Sequence, residues 1–399
     1  MGTLFFYELK KIVNRKIMWI GMLISILLIL FTVGSPLVGD YFVNGERIGS
    51  NYEMFQIDAA YQKALDGKVI DEALLLEMQE AYSKVPLDAE QYSLTEEYQK
   101  YARPYSAIYN YVRQVADLSG MEMLNWVVST EDLHARRLAN QETRWEEYLL
   151  SDVEKEFWRE QETQIENPVV YRYGEGYYIL FSAAYTVGLL TVFMVSVCLA
   201  GVFPEEHVRK TDQMILSSKY GRKDVFWAKF AAGVLVAFFM ALVFVVIAFV
   251  MTLILYGLDG FDMAFQIIYA GSSCPISAGE AVLIIYAIVL CAGVFTGAIV
   301  MMLSEVLHSS VGTLAIAIGM IILPMMVTIP DEYRLLAQLW SYLPSDIVAG
   351  WSCFSPRTVV MFGTVFQAWQ VVPVLYTVIG TIAAVATKRV FVKYQVSGR

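Results

Sequence analysis

Residues 203–229 read FPEEHVRKTDQMILSSKYGRKDVFWAK and hold six Lys/Arg and four Asp/Glu, while the runs on either side, Tyr177–Val202 and Val225–Tyr256, are nearly uncharged. A segment this polar cannot cross a bilayer, and one this short cannot bury a core of its own. It contains no recognisable catalytic constellation. It reads as a loop at a membrane surface between two spanning helices, and that reading organises the rest of the chain.

The 399 residues are 57% hydrophobic and 17% charged, with a mean hydropathy of +0.50. Soluble domains are roughly half apolar and a quarter charged. A helix needs about 20 apolar residues to span the hydrocarbon. Six runs qualify: Ile17–Gly34, Tyr177–Val202, Val225–Tyr256, Ala281–Leu303, Val311–Ile329 and Val371–Thr387. None carries a basic residue at mid-depth, where it would cost about 2.5–3.5 kcal/mol. The first run is long for a signal peptide and no small-x-small cleavage site follows it cleanly, so it reads as an anchor.

Basic residues orient the spans. Lys10, Lys11, Arg15 and Lys16 precede the first run, six basic residues lie in 203–229, and four end the chain. Such flanks belong on the cytoplasmic side, which places both termini inside. Residues 35–176 then fall outside; they hold 27 Asp/Glu and 13 Lys/Arg, a net of −14 against −10 for the whole chain. The acidic balance therefore belongs to one external domain and hides a basic cytoplasmic face.

The expected architecture is an all-α membrane protein with six transmembrane helices. Residues 1–34 form an interfacial helix and the first span, 35–176 a helical extracellular domain, and 177–399 the remaining spans. Phe5, Leu9 and Ile12 share one face of residues 3–16 with Lys10 opposite, as in a helix lying in the headgroup layer. In the external domain, 71–85 and 131–161 read as helices, the second with an apolar stripe of Leu138, Trp145, Leu149, Val153 and Phe157. Val85-Pro86 and Arg103-Pro104 mark helix boundaries. Residues 333–368 are too apolar for a solvated loop, and Pro344 and Pro356 break them into pieces of re-entrant length; two further spans are the alternative. Gly293 and Gly297 sit at the spacing of close helix contact.

Cys198 and Cys291 fall in spans; Cys274 and Cys353 fall in outer loops, and whether they pair is open. No CxxC motif or His/Cys cluster suggests a metal, and the three histidines are far apart. No HExxH or GxSxG motif suggests catalysis.

The short segment 205–217 can form an amphipathic helix on the cytoplasmic loop, able to take force from a soluble partner. Here the chain resembles the permease subunits of ATP-binding-cassette exporters, the class that includes O-antigen, multidrug and sodium-extrusion permeases. Those chains have an N-terminal interfacial helix, six spans, a coupling helix after span two and re-entrant helices between spans five and six. Glu206, Thr211, Leu216, Arg222 and Lys229 stand where the family's loop pattern has an acid, a polar helix ending in leucines, an Arg at the turn and a Lys at span three. Lys210-Thr211 and Ser218 replace the Gly-Thr and Pro often found there. The Leu343-Pro344 pair is similar to the break in the family's re-entrant helices.

The resemblance implies coupling to an ATPase subunit through Glu205, Glu206, Arg209, Thr211, Met214, Leu216, Tyr220 and Arg222, and an extracellular gate at Leu343, Pro344 and Trp351. It implies a second permease copy, identical or not, and bacterial plasma membrane as the location. The chain has no GxxxxGK(S/T) sequence, so ATP and Mg belong to a partner subunit. No cofactor, metal or nucleic acid is expected on this chain, and membrane lipid is its surround. The implied cargo is amphipathic or hydrophobic: a peptide, antibiotic or lipid. Sodium export would want acids inside the spans, and Glu280 and Glu305 sit only at the ends. A sensor or immunity protein with an external ligand-binding domain is the reading from another class.

Overall fold

In lipid every backbone N–H and C=O must find its partner within the protein, so a long apolar run folds as a helix. The computed structural model describes residues 2–88, 91–208, 221 and 223–393. Among them five helices are long and apolar enough to cross a membrane, at 16–37, 175–206, 223–255, 278–307 and 368–393. Numbering helices of eight residues or more, these comprise α2 (Lys16–Gly34), α8 (Glu175–Leu199), α9 (Lys223–Leu255), α10 (Ala278–Leu307) and α13 (Ala368–Lys393). The expected fifth span is α11, Ser310–Met326, with only 17 residues. At 1.5 Å per residue it covers about 26 Å, less than a hydrocarbon core of about 30 Å. Pro324 lies in its last turn and Pro330 follows, which stops the helix early.

Helices α8 and α10 form the buried centre of the bundle, with α2, α9, α11 and α13 packed around them. Gly293 and Gly297 lie where α10 meets α8 and α9: an added Cβ would sit 2.9 Å from Thr191 and 3.0 Å from Ala237. The outer face of α2 stays apolar and uncovered, with Ile20, Leu23, Leu27 and Phe31 each more than half exposed. At one end, here called basal, α1 (Gly2–Val13) lies along α9. Ile12 is buried and Phe5 and Leu9 pack against the core, while Lys10 is exposed.

Residues 38–174 stand at the other, distal end. Their helices are α3 (Asn51–Leu65), α4 (Glu72–Tyr82), α5 (Ser106–Ala116), α6 (Thr130–Glu147) and α7 (Asp152–Glu162). Their core gathers Leu75, Met78, Ile108, Val112 and Met123, with Tyr82 and Tyr109 stacked at 3.8 Å. Both prolines stand at boundaries: Pro86 follows α4, and Arg103-Pro104 opens the turn before α5. Arg103, itself buried, clamps Asp58 at 2.6 and 3.0 Å and so ties that turn to α3.

Two expectations are corrected here. The unit is not wholly helical: β1 (Asp40–Val43) and β2 (Glu46–Ser50) form an antiparallel hairpin. Its turn, Asn44-Gly45, has positive φ at both residues, the geometry that suits the twist of a two-residue hairpin. Nor is 131–161 one helix with one stripe. It breaks at 148–151, where Leu149 takes φ +52° and is half exposed, as is Val153. Ser151 and Glu154 form a capping box that starts α7 afresh, and a new start resets the phase of any stripe.

Residues 333–368 contain no helix of spanning length, so the alternative of two more spans does not hold. They form α12 (Arg334–Ser341), turns around Pro344, a short helix Gly350–Cys353 and a second hairpin, β3 (Val359–Met361) with β4 (Thr364–Phe366). Ile347, Val348, Ala349 and Cys353 are fully buried. Val348 presses on α8 at Gly188, where a Cβ would come within 2.5 Å, so broken backbone is covered by protein. All four cysteines are free thiols.

Candidate functional site

The basal end gathers charges from four parts of the chain. α8 ends at Leu199, and one short helical turn, Pro204–Val208, carries Glu205 and Glu206 back towards α1. Helix α1 presents Glu8 and, one turn on, Lys11; the α1–α2 corner presents Arg15; and the first turns of α9 present Lys229. Lys229 is 1% exposed and Glu8 7%. Lys11 Nζ lies 2.6 Å from Glu8 and 2.9 Å from Glu206, and Lys229 Nζ lies 3.4 Å from Glu8 and 2.7 Å from Glu206. Two ammonium groups thus share two carboxylates and the four charges cancel. The Lys229 ammonium also donates to the Val202 carbonyl at 3.2 Å and rests 5.4 Å above the Phe203 ring.

Arg15 extends the cluster. Its guanidinium lies 3.1 Å from Glu205 and donates to the carbonyls of Cys198 (3.0 Å) and Gly201 (3.2 Å). These acceptors lie at the C-terminal end of α8, where unpaired carbonyls favour a cation. Burial works against the Lys11 ammonium, but its hydrogen bond to Glu8 and the charge of Glu206 outweigh it and hold its pKa above the ordinary lysine value. Taken together, the cluster bolts α1, α2, α8 and α9 to each other at the root of the polar loop.

Of the residues expected to couple to an ATPase, Glu205 and Glu206 are in this cluster. Arg209, Thr211, Met214, Leu216, Tyr220 and Arg222 lie outside the described residues, so only the root of the expected helix 205–217 is seen. The sequence reads Lys11 and Arg15 only as membrane-side charge; the signal for their pairing is an acid, Glu8, interrupting an otherwise basic terminus. A further acid nearby, Glu305 near the end of α10, is fully buried and neither of its carboxylate oxygens has a hydrogen-bond partner. Glu280 instead caps α10, accepting from Ser277 N–H at 2.8 Å.

At the distal end a second cluster ties 38–174 to the expected gate segment. Glu154 is fully buried. Its carboxylate accepts from Arg334, from Ser151 N–H (2.9 Å) and Oγ–H (2.7 Å), and from Thr358 N–H (3.1 Å) and Oγ–H (2.8 Å). Burial alone would raise its pKa, but the Arg334 bond and the Ser151 and Thr358 bonds prevail and bring it down to about 2. Trp158 donates to the Pro356 carbonyl at 2.7 Å. Arg137 pairs with Glu162 at 3.0 Å and donates to the carbonyls of Ala270 and Ser272, both at 2.8 Å. Pro344 is buried and Leu343 half-buried, while Trp351 is half exposed, its ring 5.2 Å from Tyr185.

Several apolar spanning helices define a multi-pass membrane protein. The family follows from comparison with known proteins. The chain belongs to the ABC-2 transporter family: the model of the ABC-2 family transporter protein matches residues 3–331, from the start of α1 to the end of α11 and just beyond. Comparison with curated proteins finds no match. Membership makes the chain a permease component, the membrane subunit of a transporter, and implies partnership with an ATP-binding-cassette subunit.

Proposed function

We propose that the chain is the transmembrane subunit of an exporter that uses ATP hydrolysed by a separate cassette subunit to move an amphipathic or hydrophobic compound, a peptide, antibiotic or lipid. The basal end faces the cytoplasm and 38–174 faces outward. The observation that carries this reading is the shared ion cluster of Glu8, Lys11, Glu206 and Lys229. A push on Glu206 reaches α1 through Lys11 and α9 through Lys229. Two such chains, alike or different, form the path, and residues 333–368 close it on the outside. A nucleotide can drive this only through different affinities for the two arrangements of the bundle.

Sodium export finds less support. Glu280 is spent on a helix cap, which leaves Glu305 as the one fully buried acid among the described residues of the spanning helices, with Glu175 half-buried at the start of α8.

The test is co-purification with the cassette subunit followed by ATPase assay in lipid. Glu206→Gln keeps the side-chain shape and removes the charge between the two lysines. The complex should still assemble, and stimulation of hydrolysis by substrate should fall several-fold. Unchanged stimulation would refute coupling through the cluster. Labelling of Lys223→Cys from the outside of intact cells would refute the orientation.

A further inference from the structure

Helices α9, α10 and α13 enclose a groove of about 470 Å³ that opens on the lipid-facing side of the bundle. Its floor is the stacked pair Phe295 and Tyr376, with ring centroids 4.1 Å apart. Trp227 and Phe230 line its basal part, and Phe238 and Pro373 its inner end. The hydroxyls along it are already satisfied, and the Cys291 thiol is only a weak donor. Thr377 and Thr381 donate to the carbonyls of Pro373 (2.8 Å) and Thr377 (2.7 Å), and the Tyr376 hydroxyl donates to the Tyr342 carbonyl at 2.6 Å. The groove therefore offers an occupant apolar contact and no free hydroxyl.

Its dimensions select among apolar occupants. Trp227 and Phe238 are eleven residues apart on α9, so the groove runs about 16 Å, close to half of a hydrocarbon core about 30 Å thick. Its length and apolar lining suit one extended hydrocarbon chain. The basal mouth is charged. Lys388 Nζ stands 5.3 Å above the Trp227 ring, and the adjoining helix ends add Lys223, Arg389 and Lys393 against half-buried Asp224 and, buried in the last turn of α10, Glu305. Tryptophan and lysine at this depth are interface residues.

From this we infer that the groove is a binding site for an anionic phospholipid of the leaflet at the basal end. One acyl chain lies along Phe295 and Tyr376, and the phosphate is held at Lys388. Basic side chains near a membrane surface attract anionic headgroups by about 1 kcal/mol each, enough for several-fold selection over a zwitterionic lipid when two or three act together. The inference does not depend on which compound is carried.

The test uses the full chain in vesicles containing either phosphatidylglycerol or phosphatidylcholine with the same diazirine-bearing acyl chains. After illumination, adducts are mapped by mass spectrometry. Phosphatidylglycerol should label the peptides carrying Phe295 and Tyr376 several-fold more than phosphatidylcholine. Lys388→Gln should erase that preference and leave phosphatidylcholine labelling as it was. Gly380→Leu should lower labelling by both lipids, because a Cβ there points into open groove, its nearest neighbours 3.9 Å from Ala298 and 4.0 Å from Phe295. Equal labelling by the two lipids, unmoved by Lys388→Gln, would overturn the proposal in favour of ordinary annular contact. Absence of groove adducts together with Cys291–Cys291 cross-linking between copies would overturn it in favour of a protein interface; Cys291 lines the groove and is half-buried, while the other three cysteines are buried.

Discussion

The two ends of the molecule hold their charges in different ways. At the basal end Lys11 and Lys229 both reach Glu8 and Glu206, so each acid has a second cation if the first lets go. At the distal end one buried carboxylate, Glu154, takes donors from α7, α12 and the strand β3 approach, and nothing stands in for it. Sharing allows partners to exchange at small cost. Concentrating five donors on one buried group makes a joint that is either whole or broken.

The sharpest break of that comparison is Glu154→Ala. It strips the Thr358 N–H of its acceptor, removes half of the α7 capping box and leaves Arg334 without its anion. Losing one partner of a buried charge pair costs about 3–5 kcal/mol. The expected result is release of α7 from residues 331–358, seen as rapid proteolysis between 148 and 165 while the spanning helices stay resistant. Proteolysis like that of the unaltered chain would mean the distal joint is redundant too.

Acid titration breaks the same joint without mutation. The Glu154 pKa is lowered to about 2 from an ordinary glutamate value of 4.5. A carboxylate depressed in the fold adds stability that is complete above its unfolded value and is lost as pH falls through the folded one. The Glu154 contribution should therefore be full at pH 5 and fade between about 4.5 and 2. Trp158, bonded to Pro356 beside it, is the reporter: its fluorescence, obtained by difference against Trp158→Phe, should change in that window. A transition centred above pH 5 would assign the joint to some other group.

Lys229→Met should cost less, although Lys229 is the more deeply buried cation of its cluster. Lys11 remains beside both acids, so the loss is that of one hydrogen-bonded charge and not of an orphaned pair, about 1–3 kcal/mol. Thermal unfolding of the purified protein measures it, and adding Lys11→Met should then cost more than the two single changes together. Simple additivity would refute the sharing of charges.

What sequence could show tracks how few alternatives physics leaves. In lipid an apolar run of 25 residues has one way to satisfy its backbone, so α8, α9 and α10 are legible to within a few residues. Local signals are present for Asn44-Gly45 and for Ser151 with Glu154, yet a strong helical composition masks them, and the stripe through Leu149 and Val153 runs past the new start at Ser151. Phe362-Gly363, which turns β3 into β4 with positive φ at both residues, carries no such signal, because Phe does not favour that conformation. The ion pairs are a different matter. Glu8 and Lys229 are 221 residues apart, and nothing in either neighbourhood names the other. Charge near a span end reads as an orientation signal until the fold shows what it faces.

The smallest effect, and the one that best separates the two designs, is Glu205→Gln. Glu205 pairs with Arg15 at 3.1 Å, but its side chain is 42% exposed and Arg15 keeps the carbonyls of Cys198 and Gly201. An exposed pair contributes about 0–1 kcal/mol and is screened by salt. Stability should thus change by less than about 1 kcal/mol, with the difference vanishing in high salt. If Arg15 is a cap for α8 first and an ion partner second, Arg15→Gln should cost clearly more than Glu205→Gln, because the carbonyls then lose a cation where the helix end favours one. Equal costs would make the Arg15–Glu205 pair the working contact and would extend the shared network to six charges.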